Sequence, residues 1–323
     1  MPYAPSPTKV AAILGPTAVG KSRTATGIAP YLGAEIISVD SMQVYRGMDI
    51  GTAKPGPELR SRVPHHMLDI VDASSEFSAA QFQEDARREV DDIDSRGGIA
   101  LLVGGTGLYF EAVVFDLRFP PGSADDDLRR RLREEAAQDP EGLRGRLAEA
   151  DPLFASGEGF ANLRRVVRAM EVYERTGVPF SSFQHRRGEQ RPYYACTGAV
   201  LDAPRQALYR AIDRRVNEMF AAGLLEEVRG LAAAGRLSRT ARQALGYKEV
   251  LDHLDRGIPL EETMLNIKRR SRNYAKRQIT WFRRIPGLRW FELDEEELYT
   301  VSSRVMEVVR DHLEKELASG HSH

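Results

Sequence analysis

The chain has 323 residues, a formal net charge of −1 and one cysteine, Cys196. This length allows one large domain or two with an ample apolar core, and a lone cysteine excludes an internal disulfide and a cysteine-based zinc site. No apolar run approaches membrane-spanning length and the first nine residues lack an apolar signal core, so we expect a cytoplasmic protein.

The first motif follows an apolar run, Val10–Leu14, and precedes a predicted helix from Ser22 to about Leu32. It fits the phosphate-loop spacing G-x-x-x-x-G-K-[ST] with Gly15, Pro16, Thr17, Ala18, Val19, Gly20, Lys21 and Ser22. The glycines let successive backbone N–H groups curl around one anion, the lysine supplies a point charge, and the serine hydroxyl can bind phosphate or Mg²⁺. The strand–loop–helix order favours this phosphate site over a chance glycine turn.

A second apolar run, Ala34–Val39, predicts a buried strand that ends at Asp40. Because polar residues at the carboxyl ends of parallel strands line the ligand crevice, residues 40–46 are predicted to face the phosphate. The glycine- and proline-rich residues 47–64 predict no regular structure. In a short strand or turn, the adjacent His65 and His66 would point in opposite directions, which favours structural roles over a metal pair.

Ser78 and Gln81 form a capping-box pattern that begins a helix, with Phe82, Ala86, Val90 and Ile93 as its predicted buried stripe. A third predicted strand, Ile99–Val103, continues into Gly104-Gly-Thr-Gly107. The β-α-β order predicts a parallel sheet with the phosphate site at its carboxyl edge. A glycine-flanked threonine in that crevice favours ligand contact over an ordinary tight turn.

From residue 116 the sequence changes to short charged helices, predicted at Leu128–Ala137, at Leu143–Ala150 and after Gly159. The last has a predicted buried stripe (Leu163, Val166, Met170 and Tyr173) and carries arginines on other faces, which by themselves indicate only a solvated surface. Residues 184–191 are interpreted as a polar, basic linker. We therefore predict a P-loop NTPase-like α/β fold whose parallel sheet is flanked by helices, with residues 1–115 and 192–323 as its core and residues 116–191 as an inserted all-helical domain.

The sheet is predicted to resume at residues 194–201, and a helix after Pro204 has a predicted buried face of Leu208, Ile212, Val216, Met219 and Phe220. A basic helix is predicted at about 260–284. Between Thr263 and Phe291 the chain has nine basic residues and no acidic one, with Tyr274, Trp281 and Phe282 among them. Interleaved cations and aromatics suit a nucleic acid, whereas the alternative is an amphipathic helix whose aromatics belong to the core. Residues 295–317 are predicted to be helical.

Four stretches together resemble one family, the bacterial tRNA dimethylallyltransferases, also called tRNA isopentenyltransferases. They are residues 15–22, 40–55, 103–109 and 275–283, with weaker support from 64–69, 168–173 and 243–249. The resemblance spans nearly the whole chain in family order. Many nucleotide-binding proteins share the phosphate loop, whereas the stretch beginning at Asp40 is highly specific. Small departures, at Met42 and Ser271, concern no proposed catalytic residue.

The resemblance implies transfer of a dimethylallyl group from dimethylallyl diphosphate to N6 of adenosine 37 in tRNA, with release of diphosphate. The phosphate loop, including Lys21 and Ser22, would hold the diphosphate, with Mg²⁺ neutralising its charge. Thr106 would donate a hydrogen bond to the bridging oxygen, and Asp40 would accept the N6 proton.

Family position also implies a set of residues that contact tRNA, the expected partner. Separately, the protein is expected to act as a monomer, because no exposed apolar repeat or heptad pattern is present in the sequence. The insertion would hold the anticodon stem-loop. The implied contact residues are Asp40, Ser41, Met42, Gln43, Arg164, Arg165, Val166, Val167, Arg168, Arg242, Gln243, Gly246, Tyr247, Lys276, Arg277, Gln278, Trp281 and Arg283.

Three other functions remain open from the residues. A small-molecule kinase would use the same loop for ATP, although the third strand lacks the following Asp that often holds Mg²⁺ and only Asp40 could replace it. An adenylate isopentenyltransferase would act on free nucleotide and would not need the basic, aromatic-rich helix. A nucleotide-dependent RNA-binding protein without chemistry would not need Asp40 and Thr106 to face the phosphate loop.

Overall fold

The computed structural model describes residues 6–120, 126–183, 191–299 and 303–319. The chain forms two compact units, one of Met1–Val114 with Pro192–His323 and one of Phe115–Arg191. Residues 184–190 of the predicted linker, Pro121-Gly122 of the predicted boundary and residues 300–302 of the predicted C-terminal helix lie outside the described residues. In the described part of the chain, no helix is both long and apolar enough to cross a membrane.

The first unit contains a parallel sheet of six strands among the described residues, in the order β4-β2-β6-β1-β7-β8. A separate parallel pair is formed by β3 and β5. The strands are β1 (Ser6–Leu14), β2 (Ala34–Val39), β3 (Tyr45–Arg46), β4 (His65–His66), β5 (Val71–Asp72), β6 (Ile99–Gly104), β7 (Tyr194–Asp202) and β8 (Leu288–Glu292). The predicted α/β class with a parallel sheet is therefore confirmed.

Ten helices of the described residues belong to the first unit with this sheet, and four others form the second unit. Those of the first unit are α1 (Lys21–Leu32), α2 (Pro57–Arg62), α3 (Ala79–Ser95), α4 (Gly107–Val114), α9 (Arg205–Ala221), α10 (Leu224–Ala233), α11 (Tyr247–Arg256), α12 (Leu260–Phe282), α13 (Glu295–Tyr299) and α14 (Ser303–Ser319). Those of the second unit are α5 (Asp126–Gln138), α6 (Pro140–Ala150), α7 (Pro152–Ala155) and α8 (Leu163–Thr176).

Local sequence signals fix the ends of several helices as predicted. The Ser78 side chain accepts a hydrogen bond from Gln81 N while the Gln81 side chain accepts from Ser78 N, so the capping box that begins α3 is present. The predicted stripe of α3 is fully buried. Gly33, with φ +59°, ends α1 in the left-handed conformation that favours glycine.

One prediction about regular structure is wrong, and several strands were not predicted. Residues 47–64 contain helix α2, which Pro57 can begin because the first helical position needs no N–H donor. Residues 45–46 form a short parallel pair with 71–72. Strand β8 was not predicted because its residues, including the exposed Arg289, resemble a continuation of the basic segment.

The second unit has an apolar core of its own. The core contains Leu132, Leu143, Leu147, Phe154 and Val166 among its buried residues. It also contains a buried carboxylate, Glu171, which accepts two hydrogen bonds from Arg129 at 2.7 and 2.8 Å. Since an unpaired buried carboxylate would be costly, this bidentate pair is part of how α5 and α8 are held together.

Candidate active site

The phosphate loop connects β1 to α1 with a backbone that requires unusual conformations. Gly15 has φ +148°, and a Cβ at this position would lie 2.3 Å from the carbonyl oxygen of Leu201 in β7. Ala18 and Gly20 have φ of +66° and +93°. This curled backbone at a helix N-terminus is the arrangement that points N–H groups at a bound anion.

Lys21 is the first residue of α1, and its side chain folds back over the loop. Its Nζ donates to the carbonyl oxygen of Pro16 at 2.7 Å. Burial and, to a lesser extent, the charge of the nearby Arg215 lower the pKa of Lys21 to about 7, although the Asp40 carboxylate partly opposes both effects. The loop therefore contains a cation that lacks a full counter-charge and is suited to an anionic ligand.

Arg215, on α9, is a site residue that the sequence analysis missed. Its charge acts on Lys21 and on Asp40, and burial lowers its pKa while the Asp40 carboxylate raises it. A signal was present in the sequence, because position 215 is seven residues after the buried Leu208 and therefore on the same face of α9. A cation on an apolar stripe indicates a function rather than a solvated surface.

Asp40 directly follows β2 and shapes the turn after it. Its Oδ1 accepts from the backbone N–H of Met42 at 2.9 Å and from that of Gln43 at 3.4 Å. The carboxylate remains partly exposed, and its charge acts on Lys21, Arg215 and Tyr274. The predicted base and the predicted phosphate-binding lysine thus share one electrostatic environment.

Thr106 follows β6, the neighbour of β2 in the sheet. Its backbone N–H donates to the carbonyl oxygen of Val39 at 3.1 Å, and its own carbonyl accepts from Tyr109 and Phe110 at the start of α4. Its Oγ1 accepts from the backbone N–H of Ser41 at 3.2 Å. The structure therefore joins the residue after Asp40 to Thr106 by one hydrogen bond.

Several residues implied to contact tRNA are exposed. In the first unit these are Arg242, Gln243, Lys276, Arg277 and Arg283, and in the second unit they are Arg164 and Arg165. Ser41 and Met42 are half-buried beside Asp40. These positions are available to a polyanion.

Other implied contact residues have structural roles: Val166 and Val167 are buried, which corrects their predicted tRNA contact, and Arg168 is half-buried. Val166 and Val167 are in the apolar core of the second unit. Arg168 is ion-paired with the buried Glu171 at 3.0 Å. These three side chains support the helix that carries Arg164 and Arg165.

Gly246 and Tyr247 are also buried. The Tyr247 hydroxyl bonds to Glu227, whose carboxylate accepts from the backbone N–H groups of residues 49, 50 and 51 at 2.7 to 3.0 Å. Tyr247 therefore holds the segment after the Asp40 turn through Glu227 rather than presenting a surface to tRNA.

The amides of Gln43 and Gln278 are used within the protein. Gln43 accepts from the Ser38 hydroxyl at 2.9 Å and donates to the carbonyl oxygen of Thr52 at 3.2 Å. Gln278 is only 5% exposed. Among the aromatics of α12, Phe282 is buried, whereas Tyr274 and Trp281 are half-buried, with the indole of Trp281 against Gly107. Phe282 therefore belongs to the core, as the alternative interpretation of this helix expected.

The donor set around the phosphate loop suits Mg²⁺. Hard divalent cations prefer oxygen ligands, and Mg²⁺ commonly takes one or two from protein while substrate phosphates and water supply the others. Ser22 supplies a hydroxyl at the start of α1, and Asp40 supplies a carboxylate nearby. Among the described residues, no group of three His, Cys, Asp or Glu side chains forms a self-sufficient metal site, so a metal here would depend on ligand oxygens.

The chain is similar to proteins of one kind across nearly its whole length. Residues 43–285 match the model of the IPP transferase family. A tRNA dimethylallyltransferase from Geobacillus thermodenitrificans is 46% identical over 304 residues, which cover 94% of this chain and 95% of that protein.

Solved structures agree. The crystal structure of a tRNA isopentenylpyrophosphate transferase from Bacillus halodurans is 39% identical, with a TM-score of 0.68 and coverage of 98% of this chain and 100% of the other. A eukaryotic dimethylallyltransferase that acts on tRNA is 28% identical, with a TM-score of 0.80 and coverage of 98% and 80%. The phosphate loop, the two polar strand ends and these likenesses give one conclusion: the chain belongs to the tRNA dimethylallyltransferase family.

Proposed function

We propose that the protein transfers a dimethylallyl group from dimethylallyl diphosphate to N6 of adenosine 37 in tRNA, releasing diphosphate. The observation that carries this proposal is the junction of two neighbouring strand ends. Asp40 and Thr106 are linked there through the 3.2 Å hydrogen bond from Ser41 N to Thr106 Oγ1. Both residues lie beside a phosphate loop, as a reaction between an amine and an allylic diphosphate requires.

The donor occupies the phosphate loop with its diphosphate group. Backbone N–H groups of the loop surround it, apart from Pro16, which has none, and Thr17, whose N–H donates to Gln278. Lys21 and Arg215 provide positive charge. Ser22 would hold Mg²⁺, which would neutralise negative charge on the leaving group. Because diphosphate restores a counter-charge, its binding favours the protonated form of Lys21, whose pKa is about 7 without it.

The chemical step is a substitution at the allylic carbon. The N6 lone pair forms the new C–N bond while the C–O bond to diphosphate breaks and its electron pair leaves with the bridging oxygen. The Thr106 hydroxyl donates a hydrogen bond to that oxygen, where negative charge develops. Asp40 orients the amino group and accepts its proton. An exocyclic adenine amine is a poor nucleophile, so alignment supplies much of the rate.

The acceptor base must leave the anticodon stack to reach these residues, as bases generally do in enzymes that modify them. The exposed cations Lys276 and Arg277 of α12, and Arg283 directly after it, bind tRNA phosphates. On the second unit, Arg164 and Arg165 do the same for the anticodon stem-loop. The half-buried Ser41 and Met42 contact the base or its neighbours.

One experiment separates this function from its rivals. Labelled dimethylallyl diphosphate is incubated with unmodified tRNA, with AMP and with ATP, and label on each acceptor is counted. We expect label on tRNA at adenosine 37 and none on free nucleotides. Transfer to AMP or ATP would indicate an adenylate isopentenyltransferase. Phosphoryl transfer from ATP would indicate a kinase, and no transfer at all would leave an RNA-binding protein.

A further inference from the structure

Helix α12 has two chemically different faces within three consecutive residues. Lys276 and Arg277 are exposed, whereas Gln278 is 5% exposed and points into the first unit. A buried amide must satisfy both its donor and its acceptor within the protein. The partners of Gln278 therefore define what it does.

Those partners are the two loops of the donor site. Gln278 Oε1 accepts from the backbone N–H of Thr17 in the phosphate loop at 2.9 Å. Gln278 Nε2 donates to the carbonyl oxygen of Gly105 at 2.9 Å. One side chain therefore links the phosphate loop to the residue that precedes Thr106.

The contact leaves little room at the residue opposite. A Cβ at position 105 would lie 2.1 Å from Gln278 Nε2, so a larger residue there would displace the end of this side chain. Glycine at 105 therefore lets the amide keep its observed position. Ligand contact was predicted for the glycine-flanked Thr106, and packing against Gln278 is a separate constraint at position 105.

The residue one helical turn earlier reinforces the same site. Positions 274 and 278 lie on one face of α12 because they are four residues apart. The Tyr274 hydroxyl interacts with Thr106 and with Gln278, and burial together with the Asp40 carboxylate raises the pKa of Tyr274 to about 12. The buried face of α12 thus contacts both the phosphate loop and the Thr106 turn.

We infer that Gln278 is a positioning residue that fixes the separation between the phosphate loop and Thr106, and that it does not contact tRNA. This inference rests on the proposed function of the donor site. Losing the amide leaves Thr17 N–H and the Gly105 carbonyl without their partner. The loops can then shift relative to each other, and a displacement of about 1 Å between reacting groups costs about a hundredfold in rate.

The test uses two variants of Gln278 and one matched control. Gln278→Met removes both hydrogen bonds at similar volume. Gln278→Glu keeps an acceptor for Thr17 N–H but places a carboxylate against the Gly105 carbonyl. Asn273→Met makes the same amide-to-thioether change at an exposed position of α12. For each protein, calorimetry gives the affinity for inorganic diphosphate with Mg²⁺ in the absence of tRNA, filter binding gives the tRNA Kd, and single-turnover transfer is measured with both substrates saturating.

We expect Gln278→Met to weaken diphosphate binding about tenfold and to slow saturated transfer about a hundredfold, with a tRNA Kd within about twofold of wild type. For Gln278→Glu we also expect a pH dependence of diphosphate binding. Its diphosphate affinity, relative to wild type, should rise as pH falls, because a protonated carboxyl can again donate to the Gly105 carbonyl. If the Met variant does not fold, the Glu variant and this pH ratio decide.

A raised tRNA Kd with unchanged diphosphate affinity would overturn the inference and return Gln278 to the tRNA surface. A Glu variant that matches wild type at every pH would also overturn it. Because the diphosphate titration requires no allyl transfer, it stays informative if the wild-type protein transfers nothing to tRNA. That result would refute the proposed function alone.

Discussion

The sequence predicts the donor site better than it predicts the surface proposed to bind tRNA. At the donor site, residues predicted from separate motifs converge: the phosphate loop, Asp40 and Thr106 lie at adjoining strand ends. On the helices proposed to contact tRNA, the predicted residues divide between exposed cations such as Lys276 and buried side chains such as Val167 and Gln278.

The difference has a physical origin. A phosphate loop is specified by backbone conformations that glycine permits and by a lysine at fixed spacing, so its geometry is local. Which face of a helix meets solvent depends on what packs against that helix, and a list of neighbouring residues cannot show it. Contiguous motif residues on a helix should therefore be divided by face before binding is assigned to them.

The largest effect is expected from removing the proposed general base, Asp40. Asp40→Asn keeps an acceptor for Met42 N–H, so the turn is retained while proton acceptance is lost. We expect turnover to fall about 10²- to 10⁴-fold with tRNA affinity nearly unchanged, measured by steady-state transfer and filter binding. Asp202→Asn, the same change at the end of β7, serves as the control. Wild-type turnover in the Asp40 variant would remove Asp40 from the mechanism.

Neighbouring arginines on α9 offer a matched pair. Arg215→Met removes a charge that acts on Lys21 and Asp40, and we expect diphosphate affinity to fall about 10- to 100-fold. Arg214→Met removes an exposed arginine that bonds to Glu218 at 2.8 Å and should change this affinity less than twofold. Calorimetry with inorganic diphosphate and Mg²⁺ measures both. Equal effects of the two changes would place Arg215 outside the donor site.

The lowered pKa of Lys21 predicts a pH dependence confined to the donor site. Below about pH 7 Lys21 is already charged, whereas above pH 7 the free protein must take up a proton when diphosphate binds. Diphosphate affinity should therefore fall as pH rises above 7, by at most about tenfold per pH unit for one proton.

Lys21→Arg provides the reference for this measurement because arginine stays charged over the whole range. Titration of the ligand itself is common to both proteins and cancels in the ratio of their affinities. The ratio of wild-type to Lys21→Arg affinity should decline above pH 7. A constant ratio from pH 6 to 9 would mean that Lys21 remains charged in the free protein.

The smallest expected effect concerns the tRNA-facing surface. Lys276→Ala combined with Arg277→Ala should weaken tRNA binding and reduce the slope of log K against log salt by about 1.5, because two phosphate contacts are lost. Arg62→Ala combined with Arg88→Ala removes two exposed arginines from α2 and α3 and should leave the slope unchanged. Identical slopes for all three proteins would mean that α12 does not meet phosphates.

The sequence predicts the features that are specified locally and does not predict those that depend on what packs against a helix. Strands β1, β2, β6 and β7 and the capping box of α3 follow from local patterns, and the structure confirms them. Arg215 was missed and Gln278 was misassigned because each lies on the face of its helix, α9 or α12, that packs against the protein, where Arg215 is half-buried and Gln278 is buried. A cation or an amide at such a position is a detectable signal, but its partners, Lys21, Thr17 and Gly105, are far away in sequence.

The proposed mechanism assigns Thr106 to the chemical step and Lys276 and Arg277 to tRNA binding. The most direct test of this assignment is single-turnover transfer measured at increasing tRNA concentration. Thr106→Val removes the hydroxyl expected to assist the leaving group, and the Lys276→Ala, Arg277→Ala protein removes tRNA contacts. Saturating tRNA should restore the rate of the double variant to near wild type while Thr106→Val stays about a hundredfold slow. Recovery of Thr106→Val at high tRNA concentration, or failure of the double variant to recover, would contradict this account.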